Sequence, residues 1–227
     1  MAAPQPLGDL DAARLSLGSV FKPVHYTNTK RRIPNKFDVE VLYEHLDKHL
    51  DRPNARITPL EFVLTNVTLC SKGIVDSRQK GGPKFSLIRL DPQKIDQVLR
   101  NVQQPLLQLL AKQIQDKRIC FEPRVVTHAD QLLPWFFLLL QPSQYLPCEF
   151  SPTYCTVTNS FGVPFDWHSL AGHTLRQVTV RLDRICFMDK FRCHFSFRKI
   201  VVDARTPPKR PVAAAFATPN KKPRIQT

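Results

Sequence analysis

The chain is poor in glycine, in acidic residues relative to basic ones, and in long apolar runs. Only 7 of its 227 residues are glycine, and none belongs to a glycine-rich loop of the kind that holds nucleotide phosphates. The longest apolar stretch, Leu132–Leu140, contains a proline and is far shorter than the ~20 residues of a membrane-spanning helix. Met1–Leu17 lacks the charged start and apolar centre of a signal peptide. We therefore expect no membrane association and no nucleotide cradle.

Basic residues are in clear excess. The sequence has 33 Lys and Arg against 19 Asp and Glu, a formal net charge of +14, which is typical of proteins that bind polyanions. Apart from the last two dozen residues, the cations concentrate in Arg14–Lys36, Lys72–Arg89 and Arg176–Lys199. These three segments form one cationic face if the fold brings them together. The alternative is that each is a separate solvated surface.

The C-terminal segment predicts a cellular location. It has two basic clusters separated by ten uncharged residues, the spacing of a bipartite nuclear import signal. Thr206 and Thr218 each precede a proline next to one of the clusters, a pattern typical of proline-directed kinase substrates, and a phosphate there would oppose the cations. We expect a disordered tail from residue 203 to residue 227, an import receptor as a partner and a nuclear protein. The alternative is a tail that only adds solubility or contacts phosphate. The predicted import residues are Lys209, Arg210, Lys221, Lys222 and Arg224.

The six cysteines favour neither disulfides nor a metal. A nuclear protein lies in a reducing compartment, and zinc knuckles usually pair cysteines two to four residues apart, whereas six residues separate Cys148 from Cys155 and Cys186 from Cys193. We expect buried thiols, with Cys186 and Cys193 facing each other across a hairpin, and no metal or cofactor. Zinc remains the alternative.

The sequence does not predict an enzyme. Cys155, Asp166, His168 and His173 could supply a nucleophile, a base and an orienting group, but a chain with seven His and six Cys offers many such combinations. There is also no recognisable catalytic motif.

Hydrophobic spacing predicts three helices and several strands. Apolar residues recur at three- and four-residue steps from Phe37 to Leu50, the helix from Pro92 to Lys117 follows a capping Asp91, and Thr127–Leu140 reads as a buried helix. Alternation predicts strands at Phe62–Cys70 and Lys84–Leu90, and a hairpin after Val178 with one apolar and one cationic face.

The segment Val67–Asp91, with Gly73, Val75, a basic glycine turn and Lys84-Phe85, resembles the opening strands of oligonucleotide- and oligosaccharide-binding (OB) fold proteins. The resemblance implies a closed five-stranded barrel with a helix at one end and a ligand groove across the sheet. The predicted fold class is α+β, an antiparallel, OB-like β-barrel or sheet decorated with three helices. We expect a flexible basic arm over residues 1–36, one domain over residues 37–202, and the tail.

These features together predict a nuclear, non-enzymatic protein that binds nucleic acid, preferably single-stranded DNA, within a DNA-maintenance or replication assembly that supplies a protein partner. Arginine interleaved with aromatic residues is typical of single-strand binding, in which bases stack on rings and the backbone follows positive charge. The alternative is a nuclear scaffold or adaptor, or a viral nucleoprotein-type structural protein, that works through protein partners. The predicted nucleic-acid contacts are Lys80, Lys84, Phe85, Arg181, Arg192 and Arg198.

Overall fold

The computed structural model describes residues 4–21, 37–45, 56–76, 84–119, 126–139, 144–187 and 190–203. Strands account for 48% of these residues, and one cluster of buried apolar side chains extends from Leu7 to Val202. No helix in these segments is long and apolar enough to cross a membrane. The described residues therefore form a β-rich fold around a shared core.

Eleven strands of the described segments belong to one mixed sheet. The hydrogen-bonded order is β1-β5-β6-β8-β11-β10-β3-β2, with β4 beside β3 and with β7 and β9 beside β11. Strand β1 is parallel to β5, and β7, β8 and β9 are parallel to β11, whereas the other pairs are antiparallel. The strands are β1 (Gln5–Pro6), β2 (Leu15–Phe21), β3 (Phe37–His45), β4 (Arg56–Pro59), β5 (Glu61–Leu69), β6 (Lys84–Arg89), β7 (Phe136–Phe137), β8 (Tyr145–Phe150), β9 (Thr156–Asn159), β10 (Thr174–Phe187) and β11 (Phe191–Val202).

The hairpin of β10 and β11 is the centre of the sheet. Val180 lies opposite Phe197 and Leu182 opposite Phe195, and all four side chains are buried. The register shifts after Leu182, as expected of a β-bulge. Because side chains alternate between the two faces of a strand, the apolar residues enter the core and the polar ones lie on the outer face. The outer face carries Arg181, Arg184, Arg192, His194, Ser196 and Arg198.

One long helical segment follows β6. Helix α1 (Pro92–Val98) begins after Asp91, whose carboxylate accepts a hydrogen bond of 2.8 Å from the backbone N–H of Lys94. A π-helical turn (Leu99–Gln103) leads into α2 (Gln104–Gln115). The turn accommodates Pro105, which has no N–H to donate to the preceding turn. The face of the segment that joins the core consists of Ile95, Val98, Val102, Leu106, Leu107, Leu110 and Ala111.

The predicted α+β fold with three helices is wrong, because only one long helix, the one after Asp91, is present in the described segments. The first predicted helix, Phe37–Leu50, begins instead as strand β3. Val39, Val41 and Tyr43 are 0%, 0% and 2% exposed, and their two-residue spacing places all three on one face of a strand. Residues 46–50 lie outside the described segments.

The third predicted helix, Thr127–Leu140, is a 3-10 helix (Ala129–Trp135) that leads into β7. Pro134 lies inside the apolar run, and a proline cannot donate the hydrogen bond that the interior of an α-helix requires. The side chain of Gln131 accepts the backbone N–H of Thr127 at 2.9 Å, which fixes the start of the 3-10 helix.

The prediction of an antiparallel β-barrel or sheet is also wrong, because the sheet of the described residues is mixed and does not form a closed barrel. Strand β5 does pair with β10, so the sheet coils back towards itself. However, the β5–β6 and β8–β11 contacts consist of two residue pairs each. The sheet also extends beyond these strands through β2, β3, β4, β7 and β9. Sequence patterning missed most of these additional strands because they are short or were assigned to helices and loops.

The segment predicted as a flexible arm, residues 1–36, contains two strands of the sheet, Gln5–Pro6 and Leu15–Phe21, with 3-10 helices at Leu7–Asp9 and Ala12–Arg14 between them. Strand β1 pairs with β5 and β2 pairs with β3, and Leu7, Leu10 and Leu15 are buried. Residues 22–36 lie outside the described segments, as does the tail after Asp203.

Candidate nucleic-acid interface

A row of side chains crosses the outer face of the sheet from β6 to β5. Phe85 lies opposite Glu149, which lies beside Ser196 on the next strand. Ser196 is opposite Arg181, which is in turn opposite Glu61. Directly paired residues point to the same face of a sheet. Phe85 and Arg181, two of the predicted contacts, therefore share a surface, but two carboxylates share it with them.

Asp183 pairs with two of the predicted arginines. Its Oδ1 lies 3.1 Å from Nη2 of Arg198 and 3.2 Å from Nε of Arg181. The Nε of Arg198 also lies 4.0 Å from Oε1 of Glu61. These two arginines and two carboxylates cancel in formal charge, so this part of the face is less cationic than the strand pattern indicated. The strand pattern does not reveal the carboxylates of Asp183 and Glu61, because Asp183 lies at the bulge of β10 and Glu61 comes from another strand.

Lys84 belongs to a different cluster from the arginines. Adjacent strand residues point to opposite faces, so Lys84 points away from the face that carries Phe85. Its Nζ forms an ion pair with Asp76 and lies 5.1 Å from the centre of the Trp167 ring, within the range of a cation–π contact. The ring of His168 stacks on Trp167 with 3.5 Å between their centres. Lys84 thus marks a second polar and aromatic surface.

Phe85 and Arg192 are the exposed members of the predicted set. Phe85 is 37% exposed, and Arg192 lies opposite Cys186 close to the end of the hairpin. The structure therefore brings Arg181 and Arg198 together, places Phe85 and Arg192 on the same outer face, and separates Lys84 from them. The predicted residues outside the described segments are Lys80, Thr206, Lys209, Arg210, Thr218, Lys221, Lys222 and Arg224.

The net charge of the chain is divided unevenly. The described residues contain 17 Lys and Arg against 15 Asp and Glu, a formal charge of +2 out of the total of +14. The rest is concentrated in three segments without any acid: residues 22–36 contain five Lys and Arg, residues 77–83 contain two, and residues 204–227 contain six. The described fold is therefore close to neutral, and most of the cationic excess lies in segments that flank its strands.

Three exposed apolar side chains, which hydrophobic patterning does not reveal, lie in the segment between β8 and β10. Tyr154 is 70% exposed, Phe161 75% and Val163 55%. They stand in a stretch rich in Pro and Ser that has no clear periodicity, so hydrophobic patterning gave no signal there. Exposed aromatic rings that are not needed for the core can stack on bases or fill a partner's pocket.

The turn that carries Phe161 is fixed by the side chain of Asn159. Its Oδ1 accepts the backbone N–H groups of Phe161 at 2.9 Å and Val163 at 3.0 Å. The backbone N–H of Asn159 donates to the carbonyl of Val163 at 2.8 Å. Gly162 has a φ of +80°, which favours glycine. The exposed ring is thus presented by an ordered turn.

Cys186, His194 and Glu149 form a chain of contacts on the outer face. The Sγ of Cys186 lies 3.0 Å from Nε2 of His194, and Nδ1 of His194 lies 3.5 Å from Oε1 of Glu149. The contacts with Cys186 and Glu149 raise the pKa of His194 to about 9, so the ring is an imidazolium at neutral pH. The hydrogen bond to His194 lowers the pKa of Glu149. No sequence motif marks this group, because its three members come from three strands.

The described cysteines do not form the expected pair. Cys193 lies opposite Ile185 and Cys186 lies opposite Arg192, so the two thiols are one register position apart and point to opposite faces. Among the described residues, no group of three or more His, Cys, Asp and Glu is placed to hold a metal ion. Cys186 and Glu149 contact opposite nitrogens of one imidazole, so they cannot converge on a single ion.

The residues weighed as a catalytic group have structural contacts. Asp166 accepts the backbone N–H of His168 at 3.0 Å and caps the 3-10 helix Trp167–Ser169. His173 is buried and packs edge-on against Phe165. Burial raises the pKa of the Cys155 thiol to about 12, which opposes formation of a nucleophilic thiolate.

No protein-family model matches the chain, and no curated protein matches it significantly.

Proposed function

We propose that this protein binds nucleic acid, with single-stranded DNA favoured, as a non-enzymatic component of a nuclear DNA-maintenance or replication assembly. The observation that carries the proposal is the charge distribution: a nearly neutral sheet bears acid-free basic segments of five, two and six cations. Phosphate contacts by Lys and Arg supply most of the affinity of non-specific nucleic-acid binding. In this proposal the basic segments neutralise phosphates.

Exposed aromatic rings support the preference for single strands. Phe85, Tyr154 and Phe161 expose aromatic surface, and stacking on a ring contributes ~1–3 kcal/mol per base when the bases are unpaired. Arg181, Arg192, Arg198, Lys80 and Lys84 remain proposed phosphate contacts, because partly exposed arginines can exchange a carboxylate for a phosphate.

The proposal is tested by fluorescence anisotropy of the full chain with single-stranded DNA, RNA and duplex oligonucleotides between about 50 and 200 mM salt. We expect affinity to fall steeply with salt. The variant Lys30→Ala/Arg31→Ala/Arg32→Ala should reduce the slope of log Kobs against log salt by about 2, since each neutralised phosphate of a single strand contributes about 0.7.

The matched control removes three exposed cations from the helical segment and the turn that follows it, Arg100→Ala/Lys112→Ala/Arg118→Ala. Its overall charge change is the same, so it should bind with nearly the wild-type slope if the basic segment makes the contacts. An equal reduction of the salt slope in the two variants would indicate only a general effect of net charge and would contradict the role of the basic segment. An affinity for oligonucleotides that does not depend on salt would overturn the proposal.

Nuclear import and its control by phosphorylation belong to the same proposal. A fluorescent fusion of the full chain should concentrate in nuclei, and Lys221→Ala/Lys222→Ala should release it to the cytoplasm. Thr206→Glu/Thr218→Glu should weaken import in the same direction, because negative charge next to each basic cluster competes with the receptor's acidic grooves. Unchanged nuclear accumulation of the lysine variant would contradict the import signal.

A nuclear adaptor is the second candidate, and the exposed apolar side chains of Tyr154, Phe161 and Val163 favour it. Aromatic side chains on ordered turns are typical anchors of protein interfaces. Phe161→Ala should then abolish capture of a protein partner while salt-dependent nucleic-acid binding persists. If Phe161 instead stacks on bases, the same variant weakens oligonucleotide binding directly.

A further inference from the structure

The outer-face chain of Cys186, His194 and Glu149 has the geometry of an activated thiol. A cysteine, a histidine and a carboxylate lie in sequence, with 3.0 Å from Sγ to Nε2 and 3.5 Å from Nδ1 to the carboxylate. In such arrangements the imidazole takes or shares the proton of the nucleophile, and the carboxylate orients the ring and stabilises its charge. The strands hold this geometry rigidly, because the three residues come from β10, β11 and β8.

Charged side chains from three strands surround the Cys186 site. Arg192 lies opposite Cys186 on β11, and Asp38 lies opposite it on β3. Arg184 of β10 lies opposite His194, and its Nε is 3.7 Å from Oδ2 of Asp38. Asp38 therefore already faces a cation. The ring of His194 is the group in contact with the sulfur, with 3.0 Å from Nε2 to Sγ, and an imidazolium beside a cysteine is the arrangement of reactive thiols.

We propose that Cys186 is a reactive thiol that takes small hydroperoxides such as hydrogen peroxide. The sulfur attacks one peroxide oxygen and the O–O bond breaks, so that the cysteine becomes a sulfenic acid. The departing hydroxide takes the proton from Nε2 of His194 and leaves as water. Sulfur loses two electrons and the peroxide gains them. Cys186 is only 7% exposed, so the substrate proposed for it is a small molecule and not a macromolecule.

The other described cysteines provide contrasts within the same chain. Burial raises the pKa of the Cys148, Cys155 and Cys193 thiols, which disfavours their reactive form. Cys70 is more exposed than Cys186, and its sulfur lies 3.8 Å from the carbonyl oxygen of Gly73. Accessibility alone therefore predicts that Cys70 reacts first, whereas the geometry of the Cys186 site predicts the opposite order.

The experiment treats the full chain at pH 7 with hydrogen peroxide and a 1,3-dione that traps sulfenic acid, and compares Cys186 with Cys70 by peptide mass spectrometry over time. Cys186 should react about 10-fold faster. An ordinary thiol is only a few per cent thiolate at pH 7, and the gain from ionisation is partly offset because less basic thiolates are weaker nucleophiles. Faster reaction at Cys70 would overturn the proposal.

Two variants test whether His194 and Glu149, rather than the exposure of the thiol, determine the reactivity of Cys186. His194→Gln should slow the reaction of Cys186 by about 10-fold and leave that of Cys70 unchanged, and Glu149→Gln should have a smaller effect in the same direction. Circular dichroism checks that both remain folded. If His194→Gln does not fold, the Cys186 reaction rate in Glu149→Gln tests the proposal, because that variant keeps the contact between the thiol and the imidazole. Unchanged Cys186 rates in a folded variant would refute the assignment. Since the inference does not rest on nucleic-acid binding, its failure leaves that proposal untouched.

Discussion

Asp183 offers a single substitution that tests whether the outer face contacts nucleic acid. Its Oδ1 lies 3.1 Å from Arg198 and 3.2 Å from Arg181, and its side chain is 30% exposed. Asp183→Asn keeps the shape and removes the negative charge. The two guanidinium groups then lose their shared counter-ion while they remain partly exposed, at 23% and 30%.

The expected effects on stability and on binding have opposite signs. Exposed ion pairs contribute about 0–1 kcal/mol and buried ones cost about 3–5 kcal/mol when one partner is removed, so this partly exposed cluster should lose about 1–2 kcal/mol of unfolding free energy. One additional phosphate contact steepens the salt dependence by about 0.7, which corresponds to about five-fold tighter binding at 0.1 M salt. A variant that is less stable yet binds more tightly is difficult to explain unless the arginines meet the ligand.

The assay combines urea unfolding with anisotropy on a single-stranded oligonucleotide. Asp96→Asn is the matched control, because Asp96 also pairs with an arginine, Arg100, and the chain gains the same charge. Both of those side chains are more than half exposed, so this substitution should change stability by less than about 0.5 kcal/mol and affinity little. If folded Asp183→Asn binds no more tightly than Asp96→Asn, Arg181 and Arg198 do not lie in the interface.

Two further predictions concern the outer face and the exposed turn. The pKa of His194 is raised from 6.5 to about 9, so its stabilisation is complete below about pH 6.5 and is lost as pH rises through 9. After a discount for the exposure of Glu149, His194→Gln should cost about 1–2 kcal/mol more at pH 6 than at pH 10 in urea unfolding, and a pH-independent cost would contradict the contact. Asn159→Ala removes the acceptor of two backbone hydrogen bonds, from Phe161 and Val163. It should lower the unfolding free energy by about 1 kcal/mol, and equal stability would show that the turn does not depend on Asn159.

Local patterns predicted the elements that a single segment determines. The hairpin of β10 and β11 is present because its alternation is long and regular, and the helix after Asp91 is present because capping and apolar spacing agree there. The segment of strand β3 fits two periodicities. Apolar residues from Phe37 to Leu50 recur at the three- and four-residue steps of a helix, whereas Val39, Val41 and Tyr43 recur at the two-residue step of a strand. The choice between the two is made by hydrogen bonds to β2 and β10, which no local window contains.

The candidate site depended still more on contacts between distant segments. The sequence analysis identified Arg181 and Arg198 as outward-facing, which alternation determines. It could not place Asp183 between them, because a bulge moves that residue out of the regular pattern. The contact between His194 and Glu149 joins residues 45 positions apart. Ion pairs between strands are therefore the feature of the site that sequence patterns predict least well.

The near neutrality of the described fold predicts which substitutions change nucleic-acid binding and which change stability. If the sheet supplied the affinity, its cations would exceed its acids by the number of phosphates contacted, yet the margin is 17 against 15. The excess lies instead in residues 22–36, 77–83 and 204–227. Core substitutions such as Leu107→Ala, which should cost about 2–5 kcal/mol, should then leave the salt slope of the folded fraction unchanged. Substitutions in the basic segments should change the slope without changing stability. A core variant that changes the salt slope, or a basic-segment variant that lowers the unfolding free energy, would mean that folding and phosphate binding use the same residues, and the division of roles between the core and the basic segments would fail.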